Sequence, residues 1–583
     1  MSTSSTPSKV DAAFPRSAGK MAETMPTAAP LSPTALDLIH LGPEVVLSFW
    51  GLLVLVVDFA GLRHLASDRR AKTLGTVTLV GVLLALVAAF LPEFVAKAEG
   101  APREPSLFLG TIAGGPLVER LNAVTLILLG LVVAVSASWA FTENWGEYYA
   151  LTLWGGVGMM LLMASEELLT LFLSLEMMTI CFYLLAAFEK GRPRSPEAGL
   201  KYFVYGSVSS ALFLFGLSLL YGLTGTTRLA GIGVALSGQG GATVGLGGNL
   251  AGATAVLLVL VGFGFKIAAA PFHQWAPDVY EGAPAPVSAW IASGSKLASV
   301  AALMKVLIQA LGPYANGPDG LTGPGYVGIV AVLAAVSMTY GNFAALAQKN
   351  LKRMLAYSSI AHAGYLLVGV LAAAVSVDPA ASSGSVLFYL AVYAFTTLGA
   401  FAVASWLIRD GGSDDIDDLD GLGSRSPALA ACIVLLMLSL IGLPPLAGFF
   451  GKLFMFMEAL NAAPRYRLTF LWLVILGLFN SVISAFYYAR VLRALFLRPA
   501  RAQANRSPAP SPIAATIIFA TIVAIGCGVY AHPLAQDAVA VARSRLFVTG
   551  GKMPLDNVQG KVGRPLPPEP TPPSRLVEKI QAD

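Results

Sequence analysis

The sequence predicts an all-α, polytopic membrane protein with about 14 transmembrane helices, and two observations carry this prediction. Hydrophobic residues make up 56% of the 583 residues and charged residues only 12%, whereas a soluble domain carries about 25% charged residues. The chain also contains many apolar runs close to the roughly 20 residues needed to cross a bilayer. These runs are predicted to be helical, because inside lipid every backbone polar group needs a partner within the protein.

The apolar runs define the domain organisation. Residues 1–34 are rich in Ser, Thr, Ala and Pro and are predicted to form a disordered N-terminal extension, and residues 548–583 are predicted to form a Pro-rich C-terminal tail. Helices 1–3 fall within residues 35–141, helices 4–8 within 148–312 and helices 9–13 within 325–497. The predicted helices are residues 43–62, 73–92, 121–141, 148–164, 167–188, 196–223, 250–272, 285–312, 325–347, 352–374, 385–408, 428–459, 469–497 and 512–531.

Lysine and arginine residues are unevenly divided between alternate loops. One set of loops carries seventeen of them, including Arg69, Lys190 and Arg490, and the other set carries six. Positively charged loops remain in the cytoplasm, so the first set is predicted to be cytoplasmic. With an even number of helices, both termini are predicted to face the periplasm. The protein is therefore predicted to be a multi-pass protein of the bacterial inner (plasma) membrane.

Two of the predicted helices contain proline near their middle. One reads GFGFKIAAAPFHQWAPD, with Pro271 and Pro277, and the other reads SLIGLPPLAGFFGKLF, with Pro444 and Pro445. Proline removes a backbone donor and clashes with the preceding turn, so both helices are predicted to be broken. An ordinary kink is the alternative at either site. A pair of interrupted helices at corresponding places, however, indicates a transporter built from repeats, with its site near the middle of the membrane.

Several charged residues lie inside predicted helices, where each costs about 2.5–3.5 kcal/mol at the helix centre. Glu176 is in the middle of LFLSLEMMTICF, Lys266 precedes the first break, Lys296 lies well within AWIASGSKLASVAAL and Lys452 follows the second break. Ionisable residues inside the membrane are candidates for function by default. For Glu176, a structural ion pair is the alternative.

Four further residues are candidates, and three of them have a structural alternative. Lys201 is more than one turn inside its helix, where it could also snorkel to the cytoplasmic interface. Lys305 is nearer to its helix end and is expected to be an interfacial or secondary group. His273 follows the first break, and His362 sits among small and hydroxyl residues that could hold water. For His362, a structural hydrogen bond is the alternative.

The residue types favour protons over other ions. A buried lysine beside a carboxylate can change between charged and neutral forms when its neighbour moves, and a chain of such groups joined by water can pass protons. Sodium would prefer clustered carboxylates and carbonyls. No phosphate-binding loop, dinucleotide fingerprint, haem or iron–sulfur ligand spacing is evident, and the three cysteines are far apart. No metal site, nucleotide hydrolysis or redox centre is predicted, and the net charge of +5 gives no sign of nucleic acid binding.

Five segments of the chain together are similar to a known family. They are SLEMMTICFYLLAAF, EAGLKYFVYGSVSSALFLFGLSLLYGLTG, GFKIAAAPFHQWAPDVYEGAPAPVSAW, QKNLKRMLAYSSIAHAGYLLVG and LSLIGLPPLAGFFGK. Over roughly residues 35–535 the sequence resembles the antiporter-like membrane subunits of respiratory complex I, the proton-pumping NADH:quinone oxidoreductase. PFHQWAPDVYEGAPAPV is the most specific segment. Lys452 differs from the glutamate that one sister subunit of this family carries at its second break.

The resemblance implies a fold with two inverted five-helix repeats, helices 4–8 and helices 9–13. It also implies that Glu176 faces a neighbouring subunit and pairs with Lys266, with Lys201 as their companion. The repeats would then agree with the two proline breaks, which fall in corresponding helices.

For the second half of the chain, the resemblance implies that Lys296 is a central lysine and that His362 bridges toward Lys452 on the exit side. It implies that this chain binds no cofactor, and that FMN, iron–sulfur clusters, NADH and quinone are held by other subunits. The implied partners are other membrane subunits of complex I and the lipid bilayer. Proton translocation would be driven by electron transfer in those partners.

Two other functions remain open from the sequence. The chain could be a subunit of a multisubunit cation/proton antiporter, a class that shares this ancestry; the segment after PFHQWAPD and Lys452 argue against it. It could also be a scaffold that only holds other subunits, with its buried charges in static ion pairs. Replacement of Lys266 or Lys296 distinguishes the scaffold from a pump, because only a pump would lose proton transfer.

Overall fold

A computed structural model describes six stretches of the chain: residues 35–99, 106–237, 250–315, 325–409, 413–499 and 509–543. The N-terminal extension predicted at residues 1–34 and the tail predicted at 548–583 lie outside these stretches. Within them the chain is mostly helical, as the apolar runs predict.

The first part of the chain contains a small hairpin among its helices. In the hairpin, two short antiparallel strands pair Ser106 with Ala113 and Leu107 with Ile112. The elements of this part are α1 (Ala35–His40), α2 (Gly42–Val57), α3 (Ser67–Ala88), α4 (Leu91–Glu99), β1 (Ser106–Leu107), β2 (Ile112–Ala113), α5 (Pro116–Ser136), α6 (Trp145–Ala164), α7 (Leu168–Ala186), α8 (Arg194–Thr224) and α9 (Leu229–Leu236).

The remaining part is helical wherever the structure assigns regular elements. Segments of π-helix, Ile291–Ser295 and Val306–Ala310, flank α13, so that the chain is helical without a break from α12 onward to Ala310. The helices are α10 (Leu250–Lys266), α11 (Trp275–Gly282), α12 (Ala285–Trp290), α13 (Lys296–Lys305), α14 (Tyr326–Leu346), α15 (Leu351–Val375), α16 (Pro379–Ile408), α17 (Leu422–Arg425), α18 (Pro427–Ile441), α19 (Ala447–Leu460), α20 (Arg467–Leu497), α21 (Ser511–Val529) and α22 (Ala531–Ala542).

The described residues contain 11 helices that are long and apolar enough to cross a membrane by length and composition. Two shorter apolar helices, α10 and α18, precede the proline breaks. The predicted run at 148–164 is also helical, because α6 spans Trp145–Ala164. The protein is therefore a mostly helical, multi-pass membrane protein.

The most buried helices lie at the centre of the bundle. In the most apolar 18-residue stretch of Ala285–Ala310, 100% of the residues are buried, and in those of α15 and α16 the share is 94% each. In the outer helix Gly42–Leu62 the corresponding share is only 22%. A helix with polar or charged residues can be tolerated in the centre, because neighbouring helices supply the partners that lipid cannot. Lys296 and His362 are therefore on the innermost helices.

The helix is interrupted at both proline sites. The first interruption separates Lys266, the last residue of α10, from Trp275, the first residue of α11, and the second separates Ile441 from Ala447. Side chains supply partners for the backbone at the first break: the Ala270 N–H donates to the Ser337 hydroxyl at 2.9 Å, and the Trp275 indole donates to the Phe265 carbonyl at 3.0 Å. Such interruptions are tolerated at membrane depth only where the protein itself supplies these partners.

Candidate functional site

Glu176 and Lys266 form an ion pair between α7 and α10, in which Lys266 is buried and Glu176 is partly exposed. The Lys266 ammonium nitrogen lies 4.0 Å from a Glu176 carboxylate oxygen and donates to the Thr179 hydroxyl at 2.6 Å. The Ser210 hydroxyl of α8 donates to the same Glu176 oxygen at 2.5 Å. Thr179 follows Glu176 by three residues, which places both on one face of the helix. The pair is therefore held by two hydroxyl groups as well as by charge.

Lys296 begins α13 directly after a π-helical segment. Its ammonium group donates to the Ser359 carbonyl at 2.5 Å and to the Ser359 hydroxyl at 2.6 Å. The Tyr393 hydroxyl donates to the Ser359 hydroxyl oxygen at 2.9 Å. π-helical segments inside α-helices occur frequently at functional sites. Unlike Lys266, Lys296 is held by neutral oxygens in the described part of the chain.

His362 on α15 is buried among tyrosine rings of α15 and α16. Its Nδ1 atom lies 2.6 Å from the Tyr389 hydroxyl, and which of the two donates depends on the tautomer. The ring centroid of Tyr393 is 4.9 Å from that of His362, and the Tyr365 centroid is 5.6 Å away. A histidine that can either donate or accept at one position is suited to pass a proton.

Lys452 on α19 lies at the second break. Its ammonium group donates to the Ile441 carbonyl at 2.9 Å, to the Leu440 carbonyl at 3.3 Å and to the Ser481 hydroxyl at 3.2 Å. These two carbonyls are at the C-terminal end of α18, where helical partners are missing and the helix dipole favours a cation. The break therefore creates the binding environment for the lysine.

Two tyrosines connect these groups. The Tyr393 ring is 5.6 Å from the Lys296 nitrogen and also packs on His362, and the Tyr365 ring is 4.6 Å from the Lys452 nitrogen and also packs on His362. Lys296, His362 and Lys452 are thus joined through aromatic side chains. We call Glu176, Lys266, Lys296, His362 and Lys452 the buried row.

One step in the buried row has no direct contact. Among the described residues, no hydrogen bond or ion pair joins Lys266 to Lys296 directly. Their helices are neighbours, because α10 packs against α13. The row therefore consists of a Glu176–Lys266 part and a Lys296–His362–Lys452 part.

Lys201 lies in a different environment from the buried row. Its side chain is 39% exposed, and its ammonium group is 2.7 Å from Glu197 and 2.8 Å from Asp278. Arg353 pairs with the same Asp278 at 2.7 Å. Lys201 therefore belongs to a part-exposed cluster of charges at the ends of α8, α11 and α15.

His273 and Lys305, the two secondary candidates, are both buried. The His273 ring packs 4.5 Å from that of Tyr340, and its Nδ1 atom has no hydrogen-bond partner in the structure. Lys305 donates to the Met163 and Ser165 carbonyls at 2.8 and 2.9 Å. It also lies 3.1 Å from a Glu166 carboxylate oxygen. The Lys305 side chain is thus more deeply buried than a side chain at the membrane interface would be.

The residues that sequence reasoning missed are mainly the hydroxyl partners. Their spacing carried a signal: Ser359, His362 and Tyr365 follow each other at intervals of three, and Tyr389 and Tyr393 are four apart. Such intervals place side chains on one face of a helix. The helices that these two faces contact could not be read from the spacing.

Among the residues that the structure describes, no group of three or more His, Cys, Asp or Glu side chains is placed to hold a metal ion.

Comparison with known proteins places the chain in a family. Residues 165–484 match the family described as NADH:quinone oxidoreductase/Mrp antiporter, transmembrane. NADH-quinone oxidoreductase subunit N 2 of Acidobacterium capsulatum is 40% identical over 493 residues, which cover 83% of this chain and 95% of that protein. Subunit N of Moorella thermoacetica is 38% identical over 503 residues, covering 85% and 96%. The chain belongs to the subunit N family of NADH-quinone oxidoreductases.

Solved structures agree with membership of the subunit N family. A chain of respiratory complex I from Thermus thermophilus with bound Aureothin matches with a TM-score of 0.66 at 31% identity, covering 85% of this chain and 98% of that one. A chain of the Mrp complex from Dietzia sp. matches with a TM-score of 0.68 at 19% identity, covering 90% and 99%, and shares the fold. The resemblance noted from the sequence motifs is therefore confirmed. The family match at residues 165–484 includes every residue of the buried row.

Proposed function

We propose that this chain is a proton-translocating membrane subunit of a bacterial NADH:quinone oxidoreductase, and that the buried row carries the protons. The observation that carries the proposal is the buried row itself, because five ionisable side chains are placed inside the helical bundle with polar or aromatic contacts between most of them. A lysine placed alone at the centre of a membrane helix costs about 2.5–3.5 kcal/mol, and the row contains three lysines. A fold that only spans the membrane has no need for them.

The Glu176–Lys266 pair can act as a switch. At 4.0 Å the two charges attract each other, and Lys266 is also held by the Thr179 hydroxyl. If a neighbouring subunit draws Glu176 away, Lys266 loses its counter-charge in a medium that disfavours an isolated ammonium, so it releases a proton. The Glu176 side chain is 21% exposed, between the exposed Leu173 and Ile180 on α7. A partner subunit is therefore expected to cover this face.

Protons released at Lys266 are proposed to continue along the row toward Lys452. The step from Lys266 to Lys296 requires a bridging water, because these residues lack a direct contact and water-mediated hydrogen bonds can replace one. From Lys296 the path uses the hydroxyls of Ser359 and Tyr393, and then His362. The order is that predicted from the sequence: Glu176, Lys266, Lys296, His362 and Lys452.

The architecture proposed for the chain has fourteen crossing segments. In addition to the 11 long helices, we count α6 and the two interrupted segments, α10 with α11 and α18 with α19. The segments at 148–312 and 325–497 are proposed to be inverted repeats of five. In support, the interrupted helix is the fourth of five in both, and each carries a lysine of the row, Lys266 or Lys452. An even number of crossings would place both termini on one side of the membrane, and the basic loops on the other side would make that side the periplasm.

The proposed partners are the other membrane subunits of the complex, surrounded by lipid, and nucleic acid has no part in the function. FMN, iron–sulfur clusters, NADH and quinone are proposed to be on other subunits. The alternative of a cation/proton antiporter subunit is supported by the family description, which names both classes of protein, and by the fold shared with the Mrp chain at 19% identity. The relatives at 40% and 38% identity are subunits of NADH-quinone oxidoreductases. We therefore prefer the oxidoreductase.

The experiment that tests the function replaces Lys296 in the whole enzyme. Lys296→Met retains an unbranched side chain but removes the charge, and Lys190→Met at an exposed loop position is the control. In sealed inverted membrane vesicles, NADH-driven proton uptake is expected to be abolished or strongly reduced in Lys296→Met and unchanged in the control. A Lys296→Met enzyme that assembles and pumps at the normal ratio contradicts the proposal. Sodium–proton exchange without NADH would favour the antiporter.

A further inference from the structure

A small cavity lies at one end of the bundle, away from the buried row. It is located where α2 and α5 begin and α3 and α6 end, which is the end that the sequence predicts to be periplasmic. Its volume of about 10 Å³ is at the lower limit of the about 10–15 Å³ that one water molecule needs. The residues lining it include His40, Glu44, Ala89, Glu119, Asn122 and Ala164.

Oxygen atoms without partners face this cavity. The Asn122 amide nitrogen donates to one Glu44 carboxylate oxygen at 3.0 Å. Among the described residues, the other Glu44 oxygen and the Asn122 amide oxygen have no hydrogen-bond partner, although the two side chains belong to residues that are only 4% and 3% exposed. Buried polar atoms are normally satisfied, so two unpartnered acceptors beside one cavity indicate a missing donor. A water molecule or a proton supplies that donor.

The second carboxyl group in the cavity strengthens this assignment. Glu119 is 6% exposed and lines the same cavity. It precedes Asn122 by three residues, so both are on one face of α5. Two buried carboxylates that line one small cavity disfavour double ionisation and favour a proton on one of them. The remaining titratable groups around the cavity are His40, in its lining, and Lys305 and Glu166, behind Ala164.

Lys305 connects the cavity to the rest of the protein. Its ammonium group donates to the carbonyls of Met163 and Ser165, the residues on either side of the cavity-lining Ala164. Lys305 is also on the same continuous helix as Lys296, nine residues further along, which is about 14 Å at 1.5 Å per residue. Lys305 is therefore an ionisable group between the centre of the buried row and this end of the bundle.

We propose that Glu44, Glu119 and Asn122 form a proton-holding site, occupied by one shared proton and one water molecule, through which protons that reach Lys305 leave the protein by a second exit beside the path to Lys452. In the transfer, a proton passes from the Lys305 ammonium group through water to Glu44, and from there to bulk solvent. Lys305 becomes neutral and is protonated again from the side of Lys296. This inference rests on the proposed function, and it gives the N-terminal helices α2 and α5 a part in proton release.

The test uses the complete enzyme in sealed inverted membrane vesicles. The variants are Glu44→Gln and Glu119→Gln, and the matched control is Glu147→Gln on α6, whose side chain is 44% exposed. Proton uptake per NADH is expected to fall in both variants and to stay unchanged in the control, with assembly retained. Wild-type proton uptake in both assembled variants overturns the proposal. If Glu44→Gln fails to assemble, Glu119→Gln decides the question alone.

Infrared difference spectra provide a readout that a merely structural role would not change. A protonated carboxyl band that shifts in D₂O is expected in the wild-type enzyme and is expected to be lost in Glu44→Gln or in Glu119→Gln; persistence of the band in both overturns the shared proton. If the wild-type enzyme binds radioactive sodium and Glu44→Gln does not, the site holds a metal cation instead of a proton, and this result also overturns the shared proton.

Normal pumping in Lys296→Met contradicts the proposed function. Normal pumping in Glu44→Gln and Glu119→Gln, with reduced pumping in Lys296→Met, contradicts this site alone.

Discussion

The Lys452 ammonium group donates to the carbonyl oxygen of Ile441, the last residue of α18, at 2.9 Å. The lysine thus satisfies a carbonyl that the proline break leaves without a helical partner. A second carbonyl, that of Leu440, accepts from the same nitrogen at 3.3 Å. The helix break and the buried charge are therefore one structural unit, because each removes a cost that the other would have alone.

Replacing Lys452 by Met is expected to destabilise the second break as well as to block proton transfer. Two carbonyls lose their donor, and an unsatisfied buried polar group costs about 1–3 kcal/mol. The thermal midpoint of the purified complex and its NADH-driven proton uptake are expected to fall together. Lys349→Met, at an exposed position outside the row, is the control. A Lys452→Met complex with unchanged thermal midpoint would show that the carbonyls find other partners.

The Glu176–Lys266 pair is expected to show energetic coupling in a double-mutant cycle. The variants are Glu176→Gln, Lys266→Met and the double variant, with proton uptake and thermal midpoint as measurements. Because the pair is largely buried, the coupling is expected to reach about 0.5–3 kcal/mol. The exposed pair of Glu197 and Lys201, 2.7 Å apart, is the matched control, for which about 0–1 kcal/mol is expected. Additive effects at Glu176 and Lys266 would rule out a switching pair.

The tyrosine hydroxyls of α16 are expected to be needed for proton transfer. Tyr389→Phe and Tyr393→Phe retain the packed rings but remove the hydroxyls that contact His362 and Ser359. We expect assembly to be normal and proton uptake per NADH to be reduced in both. Tyr466→Phe is the control, because the Tyr466 hydroxyl has no hydrogen-bond partner in the structure. Equal proton uptake in all three variants would limit the path to the charged residues.

Glu189, in the loop between α7 and α8, is expected to make stability depend on pH. Burial raises the pKa of this carboxyl, although Arg192 and Lys352 nearby oppose the shift. The folded protein therefore holds a proton that the unfolded chain has already released, and the free energy of unfolding falls as pH rises from the unfolded to the folded pKa. At pH values above this range, Glu189→Gln is expected to raise the thermal midpoint. Below about pH 4, where the carboxyl is protonated in both states, the substitution is expected to have no such effect. A gain that is the same at every pH would exclude titration of Glu189 as the cause.

The sequence by itself determined the membrane class, the approximate helix positions and the two breaks. Runs of apolar residues at bilayer length leave helices as the only fold, and proline removes a backbone donor wherever it stands. The run at 196–223, for example, became α8 at Arg194–Thr224. The motifs around Lys266 and Lys452 also indicated the family. These features depend on local chemistry, which is written along the chain.

The tertiary structure decided which of the buried charges meet one another. Helices at the centre of a bundle are apolar on every side, so their sequences do not show which face meets which neighbour. Lys201 and Lys296 both occur inside predicted helices, yet Lys201 pairs with Asp278 at a part-exposed helix end and Lys296 binds Ser359 in the core. Asp278 and Ser359 are far from these lysines in sequence. Only the packing of the helices brings such partners together, and it therefore decides which lysine can belong to a proton path.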